Sequence, residues 1–177
     1  DFKIKNVTKK ITVHGKPVKE EIRNAFETGK KTNGKIEFHF TIGKNFFFEI
    51  AKLRAFRILW KSQTNQDPFI TTSTSKKNQS SGVNNIFKTT SECISAILGG
   101  TNALITNAHD SDYNEYNDLS SRVARNQFNV LTQESHLNKV KDTGRGSYYI
   151  EYLTKEFLKE FDVNIKKDAI ENECKNY

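Results

Sequence analysis

The feature that most constrains the fold of this chain is a strand-then-helix pattern that repeats at nearly constant spacing. The three clearest strand patterns begin at Ile36, Phe69 and Ala103, so successive strands start 33 and 34 residues apart. Each of them is followed by a helical pattern. Regular alternation at this spacing is typical of parallel β/α units, in which each crossover runs through a helix. The sequence therefore predicts an α/β protein with a parallel sheet.

The segment "KIEFHFTI" contains the first of these three strands. Its apolar residues alternate with polar ones at a period of two, which predicts one apolar face and one polar face. Asn45 follows, and we expect it to cap a helix. The apolar residues of that helix recur at helical spacing and should be buried; they are Phe46, Ile50, Leu53, Phe56 and Trp60.

The second and third units follow the same plan. "FITTST" from Phe69 predicts a strand, and the next helix carries Ile86, Thr90, Cys93 and Ile97 before ending at Gly99 and Gly100. "ALITNA" begins the third strand. A helix that packs outside the sheet is expected in "DTGRGSYYIEYLTKEFLKEF". Before the first clear unit, a possible strand at Ile11–His14 and a helix from Pro17 to about Thr28 are separated by a turn at Gly15.

The third helix, "SRVARNQFNVLTQESH", carries an unusual polar stripe. Arg122, Asn126, Asn129 and Gln133 share one helical face, and Asp118 is spaced to pair with Arg122. Amide side chains contribute most where their hydrogen-bond partners are fixed. The stripe therefore predicts an interhelical network or a subunit contact, and the alternative is an ordinary solvated face.

The net charge of +7 raises the possibility of nucleic-acid binding. Residues 1–35 hold ten basic and four acidic residues, whereas the rest of the chain holds eighteen and seventeen. The main body is thus nearly neutral, which favours a solvated lysine-rich head over a nucleic-acid site. A basic interaction module stays open as an alternative function.

The two cysteines, Cys93 and Cys174, have neither disulfide nor zinc spacing partners, so we expect free thiols in a reducing, cytoplasmic compartment. No hydrophobic run reaches the length of a membrane span, and the first residues lack the apolar core of a signal peptide. We expect no membrane and no nucleic-acid partner.

Three parallel strands alone would leave a sheet exposed, whereas parallel sheets are normally covered on both faces. A TIM-type barrel spends about 30 residues on each β/α unit. We therefore predict a partial β/α barrel of about three units plus a C-terminal helix. Its divisions are a lysine-rich segment at 1–35, the partial barrel at 36–146, and a post-barrel helix and tail at 147–177. Self-association, most simply as a dimer, would cover the open edges.

Several long motifs are similar to those of one family. "IGKNFFFEIAKLRAFRILW", "VNNIFKTTSECISAILGGTNALITNAHD", "LSSRVARNQFNVLTQESHLNKV" and "GSYYIEYLT" resemble, in order and spacing, the second half of the methylmalonyl-CoA mutase barrel. The resemblance implies a coenzyme-A thioester along the barrel axis and adenosylcobalamin across the carboxyl ends of the strands. It also implies an isomerase that exchanges methylmalonyl-CoA and succinyl-CoA.

The sequence departs from the catalytic pattern of that family. Catalytic chains carry a motif like His-Cys-Gln-Thr-Ser-Gly-Trp, and without a gap its histidine falls on Phe69 and its tryptophan on Ser75. An Asp-Pro pair is replaced by Ser81 and Gly82, and the cobalamin-binding Asp-x-His-x-x-Gly motif is absent. These departures resemble the small, non-catalytic subunit. We expect this chain alone to be inactive and to bind no cofactor by itself, with a catalytic mutase subunit as its partner.

The resemblance places family-motif residues with structural roles at Asn45, Glu49, Lys52, Arg54, Asn84, Asn85, Arg122, Arg125, Asn126, Gln133 and Glu134. From their positions at strand ends, we expect Thr71, Ser73, Asn107 and His109 to line the barrel mouth. His109 with Asp110 and Asp112 is a weak metal pattern because adjacent positions rarely converge on one ion, so no metal is expected. His14, His39 and His136 have no evident carboxylate or serine partner. The rival within the family is a piece of a catalytic acyl-CoA mutase with another substrate.

Overall fold

The sheet has four parallel strands. In a computed structural model that describes residues 9–76, 84–110 and 118–161, their order is β1 (Lys9–Val13), β2 (Ile36–Ile42), β3 (Phe69–Thr74) and β4 (Ala103–Ile105). The partial β/α barrel is confirmed. The sheet holds one strand more than the three predicted because β1, from the lysine-rich segment, pairs in parallel with β2.

Helices connect the strands and cover one face of the sheet. They are α1 (Val18–Lys30), α2 (Phe46–Thr64), α3 (Asn84–Leu98), α4 (Asp118–Asn129) and α5 (Tyr148–Leu158). A π-helical turn (Val130–Glu134) prolongs α4, and a 3-10 turn (Lys159–Phe161) prolongs α5. No helix in these ranges is both long and apolar enough to cross a membrane.

The core lies between the sheet and α2. Phe38 of β2 packs edge-on against Phe56 and Trp60 of α2, with ring centroids 4.7 Å apart in both pairs. Gly29 at the end of α1 allows this approach, because a Cβ there would lie 2.6 Å from the Trp60 ring. All the apolar residues predicted for the α2 stripe are buried except Phe46, which is half-buried. The alternation in β2 therefore predicted the core face correctly.

Helix α5 covers the outer side of α2 and reaches back to the first unit. Phe157 packs against Phe48 of α2 with centroids 5.8 Å apart, and Phe161 packs against Phe26 of α1 at 6.1 Å. Glu160 forms an ion pair with Arg23 of α1. The first β/α unit is thus joined to the rest of the chain through its strand and through its helix.

Two local predictions need correction. Asn45 occupies the N-cap position of α2, but its side chain makes no capping hydrogen bond, so the helix begins without the predicted side-chain cap. The third predicted strand, "ALITNA", is paired only over Ala103–Ile105 because Thr106 and Asn107 already turn toward α3 and the end of β3. Some predictions concern residues outside the described ranges, namely Ser81, Gly82, Asp112, Cys174 and the tail after residue 161.

Candidate functional site at the concave face and carboxyl edge of the sheet

The face of the sheet opposite the helices is polar. Strand register places Thr12 beside His39, and His39 beside Thr71, so these three side chains share this face. Ser73 and Ile105 are likewise register partners. In a closed parallel barrel this concave face is the interior, which is normally filled by side chains from all strands. The four strands present here therefore define part of a barrel lining made largely of hydroxyl, carboxylate and imidazole groups.

A chain of hydrogen bonds crosses this face. Thr71 Oγ1 donates to Glu37 Oε1 at 2.7 Å and lies 2.9 Å from His39 Nδ1. His39 Nε2 lies 3.1 Å from Ser73 Oγ. Lys10 of β1 forms an ion pair with Glu37 at 3.2 Å. The Lys10–Glu37 pair therefore links β1 to β2, and the buried His39 links β2 to β3. The prediction that His39 has no serine partner is wrong.

The hydrogen-bond directions in this chain fix the tautomer of His39. The single hydroxyl proton of Thr71 is donated to Glu37, so His39 Nδ1 must carry the proton that is donated to Thr71. Nε2 of the neutral ring then accepts the proton of Ser73. Burial lowers the pKa of His39, with the Lys10 charge adding to the effect, so the neutral ring is favoured at neutral pH.

The carboxyl edge of the sheet contains a second polar cluster. The backbone N–H of Asn107 donates to Thr74 Oγ1 at 2.8 Å, and the amide of Asn107 also donates to the Thr74 carbonyl. Asn85, fully buried on α3, donates to the carbonyl of His109 at 2.8 Å. His109 Nδ1 is buried and has no hydrogen-bond partner among the described residues. These bonds fix the position of the segment that follows β4.

The structure therefore separates the four residues predicted at the barrel mouth into two groups. Thr71 and Ser73 lie within β3 and contact His39, whereas Asn107 and His109 lie beyond the end of β4. Phe69 is the first residue of β3, at its amino-terminal end. Barrel active sites form at the carboxyl ends of strands, so Phe69 does not occupy the catalytic end of its strand.

A glutamate from the helix meets the chain just after each of the first three strands. Glu92 of α3 accepts the backbone N–H of Ser75, which follows β3, at 2.8 Å. Glu49 of α2 accepts the N–H of Gly43, which follows β2. Glu21 of α1 accepts a long 3.5 Å hydrogen bond from the backbone N–H of Lys16, which follows β1. Each carboxylate holds a strand-to-helix connection at the carboxyl edge, where a free N–H would otherwise need a partner.

Lys52 lies between two of these glutamates. Its Nζ is 2.9 Å from Glu21 and also pairs with Glu49, and it donates to the carbonyl of Thr41 at 3.1 Å. Only 1% of the Lys52 side chain is exposed. Burial raises the pKa of Glu49 although the Lys52 cation opposes that rise. The group carries two carboxylates and one ammonium, so each member depends on the others for its charge to be stable.

Arg54, another residue of the family motif, fastens α2 to the turn before α5. Its Nε lies 3.0 Å from both carboxylate oxygens of Asp142, and its side chain is 9% exposed. Thr154 of α5 accepts a weaker bond at 3.4 Å. Gly144 lies in the same turn, where a Cβ would lie 2.9 Å from Ile150. The arginine thus acts between two packed helices.

The polar stripe of α4 forms no interhelical network within the described part of the chain. Arg122, Asn126, Asn129 and Gln133 are all exposed, as are Arg125, Glu134 and the first α3 residue, Asn84. Within the described residues, Asp118 and Arg122 form no ion pair. An interhelical network with the described helices is ruled out because α4 turns a neighbouring face toward α3. A contact of the exposed stripe with a further barrel helix or a subunit stays a prediction.

Gln127, which the sequence did not single out, makes the helix contact instead. Its amide nitrogen donates to the carbonyl of Ile86 at 2.9 Å and to the hydroxyl of Thr90 at 2.6 Å. It also lies 3.0 Å from the hydroxyl of Thr89.

An open cavity of about 310 Å³ lies between α4 and β4. It is lined by Leu104, Thr106, Ala108, Ser121, Ala124, Arg125 and Phe128. The cavity lies at the last strand, where the described part of the sheet ends.

Metal ligation has little support from side-chain geometry. Within residues 9–76, 84–110 and 118–161, no group of three His, Cys, Asp or Glu side chains is arranged to hold an ion. Cys93 is a buried free thiol that contacts Thr106 Oγ1 at 3.4 Å, and burial raises its pKa to about 11. A thiol with a raised pKa is a poor nucleophile and a poor metal ligand at neutral pH.

Together, the parallel units, the polar face and the carboxyl-edge clusters define a segment of a β/α barrel with a polar lining. Comparison with known proteins identifies the family. Residues 18–172 match the family model described as methylmalonyl-CoA mutase, and the chain belongs to that family.

Three relatives illustrate the match. The methylmalonyl-CoA mutase of Rhizobium meliloti is 40% identical over 152 residues, covering 78% of this chain and 21% of the relative. The small subunit from Porphyromonas gingivalis is 35% identical over 152 residues, covering 79% and 25%. The probable large subunit from Mycobacterium bovis is 40% identical over 131 residues, covering 68% and 18%. The chain thus spans about a quarter or less of the length of these relatives.

Proposed function

We propose that this chain is a piece of the small, non-catalytic subunit of a methylmalonyl-CoA mutase. In this role it supports a catalytic subunit that interconverts methylmalonyl-CoA and succinyl-CoA with adenosylcobalamin. The observation that carries the proposal is the composition of β3. Catalytic chains resembling this one carry a histidine on this strand, and Phe69–Thr74 contains none.

This argument does not depend on how the family motif is aligned. Phe69 lies at the wrong end of β3 to mark a catalytic position, so a shifted alignment is needed to reach the carboxyl end. There the strand offers Thr74, followed by Ser75 and Lys76. A threonine hydroxyl does not take up a proton near neutral pH as imidazole does. No alignment of β3 therefore restores the imidazole.

The carboxyl edge also fits poorly to a corrin cofactor. Its described polar groups are bonded mostly to one another, as Asn107 is to Thr74 and Asn85 is to the carbonyl of His109. His109 Nδ1 and Glu92 Oε1 are buried at this edge and have no hydrogen-bond partner among the described residues. Because two orphaned atoms are not a binding site for so large a group, we propose that adenosylcobalamin and acyl-CoA act at the level of the assembled enzyme.

A catalytic acyl-CoA mutase is the second candidate. It is favoured by the 40% identity to the Rhizobium meliloti mutase, which exceeds the 35% identity to the Porphyromonas gingivalis small subunit. A basic interaction module has weaker support, since β1 and α1 of the lysine-rich segment are built into the sheet and the core. A reducing, cytoplasmic location is proposed from the buried free thiol of Cys93.

Association with a catalytic subunit tests the proposal. Some relatives are named as small subunits and others as large subunits, which supports an enzyme built from two different chains. The protein that contains this sequence would be expressed with a large subunit encoded beside it, with an affinity tag on the large subunit only. We expect stoichiometric co-purification. If the protein instead purifies without the large subunit and shows mutase activity, it is a catalytic chain.

A further inference from the structure

A buried carboxylate holds the residue that follows β3. Glu92 of α3 is 3% exposed, and its Oε2 accepts the backbone N–H of Ser75 at 2.8 Å. Lys88, one helical turn earlier, donates to the carbonyl of Ser75 at 3.0 Å. One residue at the carboxyl edge is therefore gripped at both its N–H and its C=O by two side chains of the same helix.

The two side chains that hold Ser75 differ in how fully they are hydrogen-bonded. Glu92 Oε1 has no hydrogen-bond partner within the described residues, and the nearest Lys88 approach to it is 3.7 Å. Lys88 is directed to the Ser75 carbonyl instead. The ionised carboxylate is thus buried with a single hydrogen bond from Ser75 and an ion pair longer than hydrogen-bond distance. A carboxylate so poorly satisfied gains by taking a proton.

We propose that Glu92 is a proton-operated latch: ionised, it holds Ser75 at the end of β3, and on protonation it loosens that hold. The weakening has two parts. A neutral carboxyl oxygen is a weaker acceptor for the Ser75 N–H than a carboxylate. The ion pair between Lys88 and Glu92 is also lost, so the negative charge of Glu92 no longer stands beside the Lys88 that bonds to Ser75.

The charges facing Glu92 come from two helices. Lys88 on α3 favours the ionised form, whereas Glu49 on α2 opposes it. The Cys93 thiol, next to Glu92 on α3, is neutral at these pH values because its pKa is raised to about 11. Burial is the largest influence and raises the pKa of Glu92 to about 7. The latch therefore holds in mildly alkaline solution and loosens as the pH falls below neutral.

This inference is independent of the subunit assignment because it concerns only contacts between α3, its neighbour α2 and the residue that follows β3. It places a pH-sensitive contact at the carboxyl edge, the end of a barrel where ligands and loops meet. The residue that moves is Ser75, and the residue that senses the proton is Glu92. No bound ligand is needed for the effect.

The direct test follows the Ser75 amide by nuclear magnetic resonance in the full chain between pH 5.5 and 8.5. We expect its ¹⁵N and ¹H shifts to titrate with a midpoint near 7, and its hydrogen exchange, corrected for intrinsic rates, to speed up on the acid side. Glu92→Gln should abolish the titration. Glu27→Gln, at an exposed site on α1, is the matched control and should leave it unchanged.

A second variant protects the test against misfolding of the first. Lys88→Met removes the cation that favours ionised Glu92, so the Ser75 midpoint should move to higher pH. A Ser75 amide whose shift does not change between pH 5.5 and 8.5 would overturn the proposal. So would a titration that persists in a folded Glu92→Gln variant, because another group would then be its source.

Discussion

Ser73 Oγ lies 3.1 Å from Nε2 of His39 on the neighbouring strand, while His39 Nδ1 lies 2.9 Å from Thr71 Oγ1. The imidazole is therefore held at both nitrogens by hydroxyl groups of β3. Parallel strands are usually joined through backbone bonds and apolar packing. Here a series of side-chain hydrogen bonds from Glu37 to Ser73 adds a polar link between the strands. The link lies on the sheet face that no described helix covers.

Thr71→Val should destabilise the fold through this link. The substitution keeps the shape but removes the acceptor of the buried His39 Nδ1–H and the donor to Glu37. Leaving a buried donor unsatisfied costs about 1–3 kcal/mol, and the urea midpoint should fall accordingly. Thr12→Val, at an exposed position in register with His39, is the control and should change the midpoint little. Equal midpoints for the two variants would refute the role of the hydroxyl.

Lys52→Met should be among the most damaging single substitutions. It leaves Glu21 and Glu49 buried beside each other without a cation. Breaking a buried ion pair in this way costs about 3–5 kcal/mol. Lys61→Met removes a surface pair with Asp67 at 3.7 Å, which contributes about 0–1 kcal/mol. Thermal or urea unfolding compares the two variants. A Lys52→Met protein as stable as the Lys61→Met protein would show that the two buried glutamates do not depend on the Lys52 cation.

Adjacent residues of α4 provide a sharp comparison. Gln127→Leu removes the donor to Ile86 and Thr90, so the free energy of unfolding should fall by about 1–3 kcal/mol. Asn126→Leu changes an exposed side chain and should shift it by less than about 0.5 kcal/mol. Denaturant unfolding of both variants decides the matter. A larger effect at Asn126 would return the amide stripe to a buried interface.

The helix pattern predicted α4 but not which of its sides faces α3. Asn126 and Gln127 are consecutive, so they point about 100° apart around the helix. Their residue types are nearly the same, and neither gives a hydrophobic signal. Which of the two faces α3 depends on where Thr89 and Thr90 lie, and this is set by the tertiary structure. An amide face therefore could be recognised as unusual, while its orientation could not be derived.

Strand alternation was more informative. The period of two in β2 predicted Phe38 and Phe40 on the core face and His39 on the other. The partners of His39 lie 32 and 34 residues later, on β3. A shift of one residue in the pairing would have placed Thr72 rather than Thr71 beside it. The polar face was thus readable from the sequence, and the hydrogen-bonded chain on it required the register.

Self-association is expected for this chain in isolation. The outer side of β4 ends the described sheet, where Ile105 is 53% exposed, and Phe87 of α3 is 72% exposed. Unpaired strand edges and exposed apolar side chains favour association. Sedimentation over a concentration series should show a dimer. A compact monomer at tens of micromolar, about the affinity of a modest interface, would mean that this edge is tolerated in water.

Turnover tests the central claim most directly. The protein containing this sequence would be purified alone, supplied with adenosylcobalamin and methylmalonyl-CoA, and assayed for succinyl-CoA, and the assay would be repeated with a catalytic large subunit added. Because β3 has no histidine from Phe69 to Thr74, the account predicts no product above the cofactor-free control for the protein alone. Product should form once the large subunit is present. Cofactor-dependent formation of succinyl-CoA by the protein alone would contradict the account.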